Sequence, residues 1–334
     1  MKRILFILGF LLLLGIGAGY FILFKSNVKV KEDRFIFIAK GDNYDSLRIK
    51  LNPILSSEFS FYLVANQLGL KSRVIPGKYK IEPEMSNVQL VRKLRSGKWE
   101  QVVVKLLAET SRDSLLNYFT AQLDADKDSL KFYINQLAET DSSFNSENVY
   151  SIFLPDHYFF NWATSGKGVV DRFLNEYKKY WTEERRNKAD NLNLTPTEVC
   201  VLASIVDGEA VHNEEMPRIA GLYLNRINKG IPMQADPTIL FMIGDEGRRR
   251  VLYADLERED PYNTYLNLGL PPGPIMLPDK RAIEAVLNAE DHDFLYMVAR
   301  EDGSYYHYFT SVYAEHVRNA NKYRRSLNQQ NTYR

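Results

Sequence analysis

Apolar positions along this chain form one unbroken run, several short alternating or helical segments, and one segment that is apolar on every side. The run is Ile4 to Phe24, which contains no charged residue. As a helix it extends roughly 32 Å, enough to cross a hydrocarbon core. Gly17-Ala18-Gly19 offers the small residues at which a secretory leader is cut. The apolar run continues past them through Tyr20-Phe21-Ile22-Leu23-Phe24, longer than a usual leader, so an uncleaved anchor is expected. Lys2 and Arg3 precede it and Lys25, Lys29 and Lys31 follow, so flanking charge leaves the orientation open. Residues 25–34 read as a short linker.

Phe35 to Ile38 and Tyr79 to Ile81 have strand character, and Gln101 to Leu107 reads as a closing strand. Gly41-Asp42-Asn43 is turn chemistry leading into a helix through Leu47 and Leu51. Ser56 to Leu70 reads as a second helix. Ser86 and Gln89 form a capping box before a third, which ends near Gly97. At an offset of 43, Leu47, Lys50 and Leu51 match Leu90, Lys93 and Leu94, a weak internal repeat. Residues 35–107 therefore make a small α+β module.

Residues 110–148 carry two polar amphipathic helices and a Ser/Asn/Asp loop. Gly168 to Arg186 reads as one long charged helix, and Glu214 to Lys229 as another, stopped by Gly230. Between these lies LTPTEVCVLASIVDGEA, residues 194–210. Thr195, Pro196 and Glu198 supply a capping box with proline in the first turn. Val199, Leu202, Ala203 and Val206 form one apolar stripe, and Cys200, Val201 and Ile205 make the other sides apolar too, so this helix belongs in a core. In Asp236-Pro237 the expected roles are N-cap and first helical position. Tyr262-Asn263-Thr264-Tyr265 and the Pro/Gly-rich stretch Gly269 to Pro274 read as a stiff loop. Phe294 to Ala299 and Tyr305 to Phe309 read as a hairpin, and a helix bearing Glu315 and His316 follows.

Composition narrows the function. A net charge of +1 gives no global field for nucleic acid, and the short basic triplet Arg248–Arg250 reads as a solvated loop. Cys200, the single cysteine, excludes an intramolecular disulfide and a multi-thiolate zinc site. The histidines at 157, 212, 292, 307 and 316 show no paired ligand spacing, so no metal or organic cofactor is expected.

The chemistry points to Glu209. It follows Leu202, Ile205 and Val206 at helical spacing, so it shares their buried side. Loss of water raises a carboxyl pKa and favours the protonated form that a general acid requires. Asp207, two residues earlier, points about 200° away and cannot share one small site.

ASIVDGEA is followed in order by AGLYLNRINKGIPMQADPTILF, ADLEREDPYNTYLNLGLPPGPI and YMVAREDGSYYHYFTSVYAEH. Together these resemble the endolytic murein transglycosylases, the MltG/YceG-like family, over roughly residues 35 to 325. The resemblance implies an α+β chain: a cytoplasmic tip at 1–3, a transmembrane helix at 4–24 and a LysM-like subdomain at 35–107. A larger, helix-rich mixed catalytic domain at 108–326 and a polar, frayed tail at 327–334 would follow. It implies a single-pass protein of the inner membrane with its catalytic part outside the cytoplasm. The implied reaction cuts the β-1,4 bond between N-acetylmuramic acid and N-acetylglucosamine in nascent peptidoglycan, leaving 1,6-anhydro ends. Glu209 matches the catalytic position, acting as acid and then base. Gln234, Asp236, Thr238, Asn263, Thr264, His307 and Phe309 fall in blocks implied to contact substrate. Penicillin-binding proteins and other wall-synthesis machinery are the implied partners. The chain departs from the family pattern at Tyr150 to Phe160: the expected E-G pair is absent and His157 stands where Thr is usual. The residues leave two rivals open. One is a hydrolytic muramidase, with Asp236 or Asp156 as its second carboxylate. The other is a membrane-anchored glycan-binding scaffold.

Overall fold

The computed structural model describes residues 2–108, 110–244 and 251–329. It divides into two compact units, each built as α+β. The first comprises Met1–Val104, Tyr118–Ser129 and Tyr158–Gly166; the second comprises Lys105–Asn117, Leu130–His157 and Lys167–Arg334.

The first unit opens with α1 (Lys2–Phe24), apolar and long enough to cross a membrane by length and composition. Then come β1 (Arg34–Ile38), α2 (Tyr44–Leu51), α3 (Glu58–Gln67), β2 (Gly77–Ile81), α4 (Asn87–Ser96) and β3 (Gln101–Leu106). The strands β1 and β2 pair antiparallel with Ile36 opposite Tyr79 and Ile38 opposite Gly77. Ile36, Ile38, Tyr79 and Ile81 enter the core with Phe61 from α3. Leu47 and Leu51 of α2, and Leu90 and Leu94 of α4, also lie there, so the offset of 43 relates equivalent core positions on two helices. Side chains of Asn43 and Ser57 cap α2 and α3, and the Ser86–Gln89 capping box starts α4, which Gly97 ends at φ +69°. Within the stretch read as a short linker, Asn27 and Val28 are only 5% and 3% exposed. They are held because Asn27 N and Val28 N both donate to Met85 O, at 3.0 and 3.1 Å.

Two helices, α5 (Arg112–Gln122) and α6 (Lys127–Thr140), precede β4 (Asp156–Asn161), which pairs with β3. In the second unit follow α7 (Gly166–Tyr180), α8 (Glu183–Asn191), α9 (Pro196–Glu209), α10 (Met216–Asn228), α11 (Asp236–Ile243), α12 (Tyr253–Leu256) and α13 (Lys280–Leu287). The hairpin β5 (Tyr296–Ala299) and β6 (His307–Thr310) and the long α14 (Tyr313–Gln329) complete it. At its centre is α9, buried from Val199 through Val206 and packed by α8, α10, α11 and α13. Its start matches the sequence: Thr195 accepts from Glu198 N, and the Glu198 side chain accepts in return from Thr195 N.

Four boundaries depart from expectation. The single helix expected at 168–186 is two, α7 and α8. Trp181 is buried at the break, and the Thr182 side chain caps α8 by accepting from Arg185 N. The helix expected from Glu214 begins at Met216, after one 3-10 turn that buries Glu215. Ala235, not Asp236, holds the N-cap position of α11; Asp236 stands in the first turn, and no side chain caps that end. Helix α14 runs on to Gln329, so Leu327 is not yet tail; residues 330–334 and the Arg248–Arg250 triplet lie outside the described residues.

Candidate active site

Helix α9 carries Glu209 as its last residue. Gly208, just before it, lets the next wall come close: a Cβ there would stand 2.9 Å from Pro237 Cβ. Pro237 follows Asp236 in the first turn of α11, so this close contact brings two acidic residues from separate helices toward one cavity. The cavity is about 460 Å³. Glu209, Tyr223, Arg226, Gln234, Asp236 and Tyr265 line one side. The hairpin stretch Leu295–Ala299 with His307, and His316 and Tyr323 of α14, line the other.

Glu209 is half-buried and lines the cavity. Among the described residues its hydrogen-bond partner is Tyr223 of α10, whose hydroxyl donates to Oε1 at 2.6 Å. Burial pushes the Glu209 pKa from an ordinary 4.5 up to about 7; the Tyr223 hydroxyl pulls against this and the Asp236 charge adds to it. The C-terminal end of α9, with its partial negative charge, acts in the same upward direction. Tyr223 is 1% exposed, and burial together with the nearby carboxyl drives its own pKa far up. The phenol therefore keeps its proton and serves as a donor. The remaining oxygen of Glu209 is left for whatever occupies the cavity.

Asp236 is exposed and accepts a 2.5 Å hydrogen bond from Tyr265 OH. Gln234 adopts a left-handed backbone, φ +55°, and its side-chain oxygen accepts from Arg226 at 2.7 Å. Buried Arg226 also donates to Pro232 O and Leu295 O, tying α10 to both cavity walls. Thr238 and Thr264 lie behind the wall, buried and hydrogen-bonded to each other at 2.9 Å; Thr264 Oγ1 accepts from Ala235 N. These bonds fix QADPT against YNTY. Asn263 is fully buried, and its amide is spent on the loop: it donates to Leu256 O and Arg258 O and accepts from Tyr265 N. It braces the wall and does not line the cavity.

His307 lines the cavity from β6 and is held from behind. Glu215, 5% exposed, accepts from His307 N through Oε1 and pairs with Nδ1 through Oε2, both at 3.0 Å. This carboxyl fixes the proton on Nδ1 and leaves Nε2 as the ring's remaining polar atom. Phe309 lies to one side, in a neighbouring depression with Arg218 and Arg300.

Several cavity residues gave no signal in the sequence. Tyr223 falls in the helix expected at 214–229, Tyr265 in a loop, and His316 in the helix after the hairpin, with nothing in the pattern to single them out. His316 packs on Tyr296, its Nδ1 is buried without a hydrogen-bond partner among the described residues, and burial lowers its pKa. Asp207 is not among the cavity-lining residues; its charge is felt at Arg281 instead. Asp156 pairs with Lys280, which helps hold its pKa down, and neither Asp156 nor His157 lines the cavity. Among the described residues no group of three or more His, Cys, Asp or Glu is arranged to hold a metal ion.

The chain that builds this site has relatives. The YceG-like family model matches residues 36–322. The endolytic murein transglycosylase of Bacillus subtilis (strain 168) is 29% identical over 320 residues, covering 88% of this chain and 86% of that protein. The Streptococcus pneumoniae (serotype 2, strain D39) protein of the same name is 33% identical over 149 residues, which span 43% of this chain and 27% of that one. A crystal structure of a yceG-like protein from Listeria monocytogenes superposes with a TM-score of 0.55 at 25% identity, covering 86% of this chain and 99% of that one. With a family model matching nearly from β1 to the end of α14, this chain belongs to the YceG-like family.

Proposed function

We propose that this protein is an endolytic lytic transglycosylase acting on peptidoglycan, with Glu209 as its one acid–base group. The feature that carries the reading is a carboxyl that lines a polar cavity and whose pKa burial pushes up to about 7. Glu209 donates its proton to the glycosidic oxygen between N-acetylmuramic acid and N-acetylglucosamine, and the C1–O bond breaks. The C6 hydroxyl oxygen of the same muramic acid then bonds to C1 while its proton passes to the Glu209 carboxylate. A 1,6-anhydro ring closes and Glu209 is again protonated. Hydrolytic glycosidases need a second carboxylate to activate water or attack carbon. The intramolecular route needs only that water be kept from the oxocarbenium-like centre, which suits an enclosed acid.

Tyr223 fixes one carboxyl oxygen and so aims the other at the sugar. Gln234, Asp236, His307 and His316 offer polar atoms to hydroxyl and acetamido groups. Thr238, Thr264 and Asn263 serve by holding those walls in place, a positioning contribution. The first unit acts as a LysM-like module on glycan near the membrane crossed by α1. The second unit works outside the cytoplasm, where nascent strands and penicillin-binding proteins lie.

Digestion of isolated sacculi with the wild-type chain and Glu209→Gln, followed by mass analysis, tests this. The expected products carry 1,6-anhydromuramic ends, and their yield falls about a hundredfold or more in the variant, the scale of a lost general acid. Reducing muramic ends would identify a muramidase with Asp236 as second carboxylate. Unchanged function in Glu209→Gln cells would identify a scaffold.

A further inference from the structure

The end of α1 is built into the first unit. Asn87, at the start of α4, donates from Nδ2 to Ile22 O at 2.7 Å and to Ser60 Oγ at 3.1 Å. It thereby satisfies one of the carbonyls that a helix end leaves without an internal partner. Asn27 donates to Asn87 Oδ1 at 2.7 Å, and its own Oδ1 accepts from Ser57 N at 2.7 Å. Ile22 and Leu23 pack on the unit's core and Val28 is inside it. Anchor helix, linker, α3 and α4 are one hydrogen-bonded piece.

That piece carries a depth gauge. Tyr20, Phe21 and Phe24 are exposed at the end of α1, and Lys25 lies over the Phe21 ring at 4.1 Å. Aromatic residues followed by a cation mark the level at which a span leaves the hydrocarbon for the headgroups. Ile22 lies about 3 Å before the end of the span, and the headgroup layer is about 5–8 Å deep. Ser60, joined to Ile22 O through a single asparagine, therefore lies close to the end of the span. Its neighbour Phe59 is 76% exposed, and Leu63, one turn on, is 42% exposed. Phe61, Val64 and Ala65 already supply the buried face of α3. Phe59 and Leu63 thus form an exposed apolar edge at i, i+4 spacing, outside the unit's core cluster.

We propose that this edge is a second membrane contact: Phe59 and Leu63 lie in the headgroup region of the bilayer that α1 crosses. The occupant is the lipid surface itself, indicated by the continuity of α3 with the end of the span. A single helix alone leaves its cargo free to swing. Two contacts, one transverse and one lying flat, fix the height and tilt of the first unit. The assignment requires α1 to be retained, and it does not depend on the chemistry at Glu209.

Labelling the full chain tests this. Cys200 is the one cysteine and is buried, so Phe59→Cys and, as reference, the exposed Phe132→Cys on α6 take an environment-sensitive fluorophore selectively in a Cys200→Ala background. The labelled chains go into vesicles of phosphatidylethanolamine and phosphatidylglycerol. Iodide should quench position 59 about threefold less than position 132, and headgroup-nitroxide lipid should quench it about threefold more, as for an interfacial helix face. Equal iodide quenching at both positions overturns the proposal. So does an intact mass of the membrane-extracted wild-type chain that begins after Ala18 or Gly19.

Discussion

Glu209→Gln should make the protein more stable, and the gain should depend on pH in a set way. In the folded state the Glu209 carboxyl keeps its proton up to about pH 7, against an ordinary value of 4.5. Below the ordinary value both folded and unfolded chains carry the proton, and Glu209 costs nothing by its charge. Between the two values the unfolded chain has released the proton and the folded chain has not. Stability then falls as pH rises, because the folded state binds more protons. Above the folded value both are ionised and the whole penalty is present. At about 1.4 kcal/mol per pH unit, the interval from 4.5 to about 7 amounts to about 3 kcal/mol. Glutamine has the same shape, carries no charge and can still accept from Tyr223. The variant should therefore match wild type near pH 4 and exceed it by about 3 kcal/mol at pH 8. For a unit of this size that is a rise of about 6–12 °C in Tm. Calorimetry of both proteins across this range reads the difference directly, since every other titrating group cancels between them. A constant difference, or one that grows toward acid, would falsify the claim that Glu209 is held protonated by burial.

Three further variants probe the same site. Tyr223→Phe removes the donor that lowers the Glu209 pKa, so the alkaline limb of the pH–rate profile should move to higher pH; a limb that stays put would remove Tyr223 from the acid's environment. Gly208→Ala drives a Cβ into Pro237 and should destabilise by about 1–3 kcal/mol, read by denaturant unfolding, and lower turnover by displacing the first turn of α11. Asp207→Asn should keep most turnover in the sacculus digest, because Asp207 does not line the cavity; a loss as deep as that of Glu209→Gln would transfer the acid's role to it.

What could be read beforehand was local. The capping box at Thr195 and Glu198, the all-round apolar α9 and the position of Glu209 at its far end each follow from neighbours within a few residues. The misreadings were also local rules outvoted by packing or by a closer partner. Asp236-Pro237 fits a cap, yet the Tyr265 hydroxyl, 29 residues on, binds Asp236, and the cap position falls on Ala235. Asn263 in a loop reads as a free amide ready for sugar, yet short polar side chains commonly bind nearby backbone, as this one does at Leu256 and Arg258. Trp181-Thr182-Glu183-Glu184 contains a helix start, but the continuous charge around it hid the break between α7 and α8. Tyr223, Glu215 and His316 are not legible from local pattern, since each acquires its role from a different element: Glu209 of α9, His307 of β6 and Tyr296 of β5.

These long-range contacts explain why the acid stands at a helix end. Mid-helix on α9 a carboxyl would be walled in on every side, dry but unable to reach a substrate. A turn beyond the end it would be solvated, and its pKa would fall back toward that of a free glutamate. At the last helical position the backbone is still rigid and neighbours still close part of the surface. Tyr223 from α10 binds one carboxyl oxygen of Glu209, and Pro237 from α11 closes on the adjacent Gly208. The open side faces the β5–β6 hairpin and α14 across the cavity. Desolvation sufficient to retain a proton and access sufficient to donate it are competing demands. They meet over about one helical turn, so shifting Glu209 along the chain by even one residue should abolish the raised pKa and the activity together.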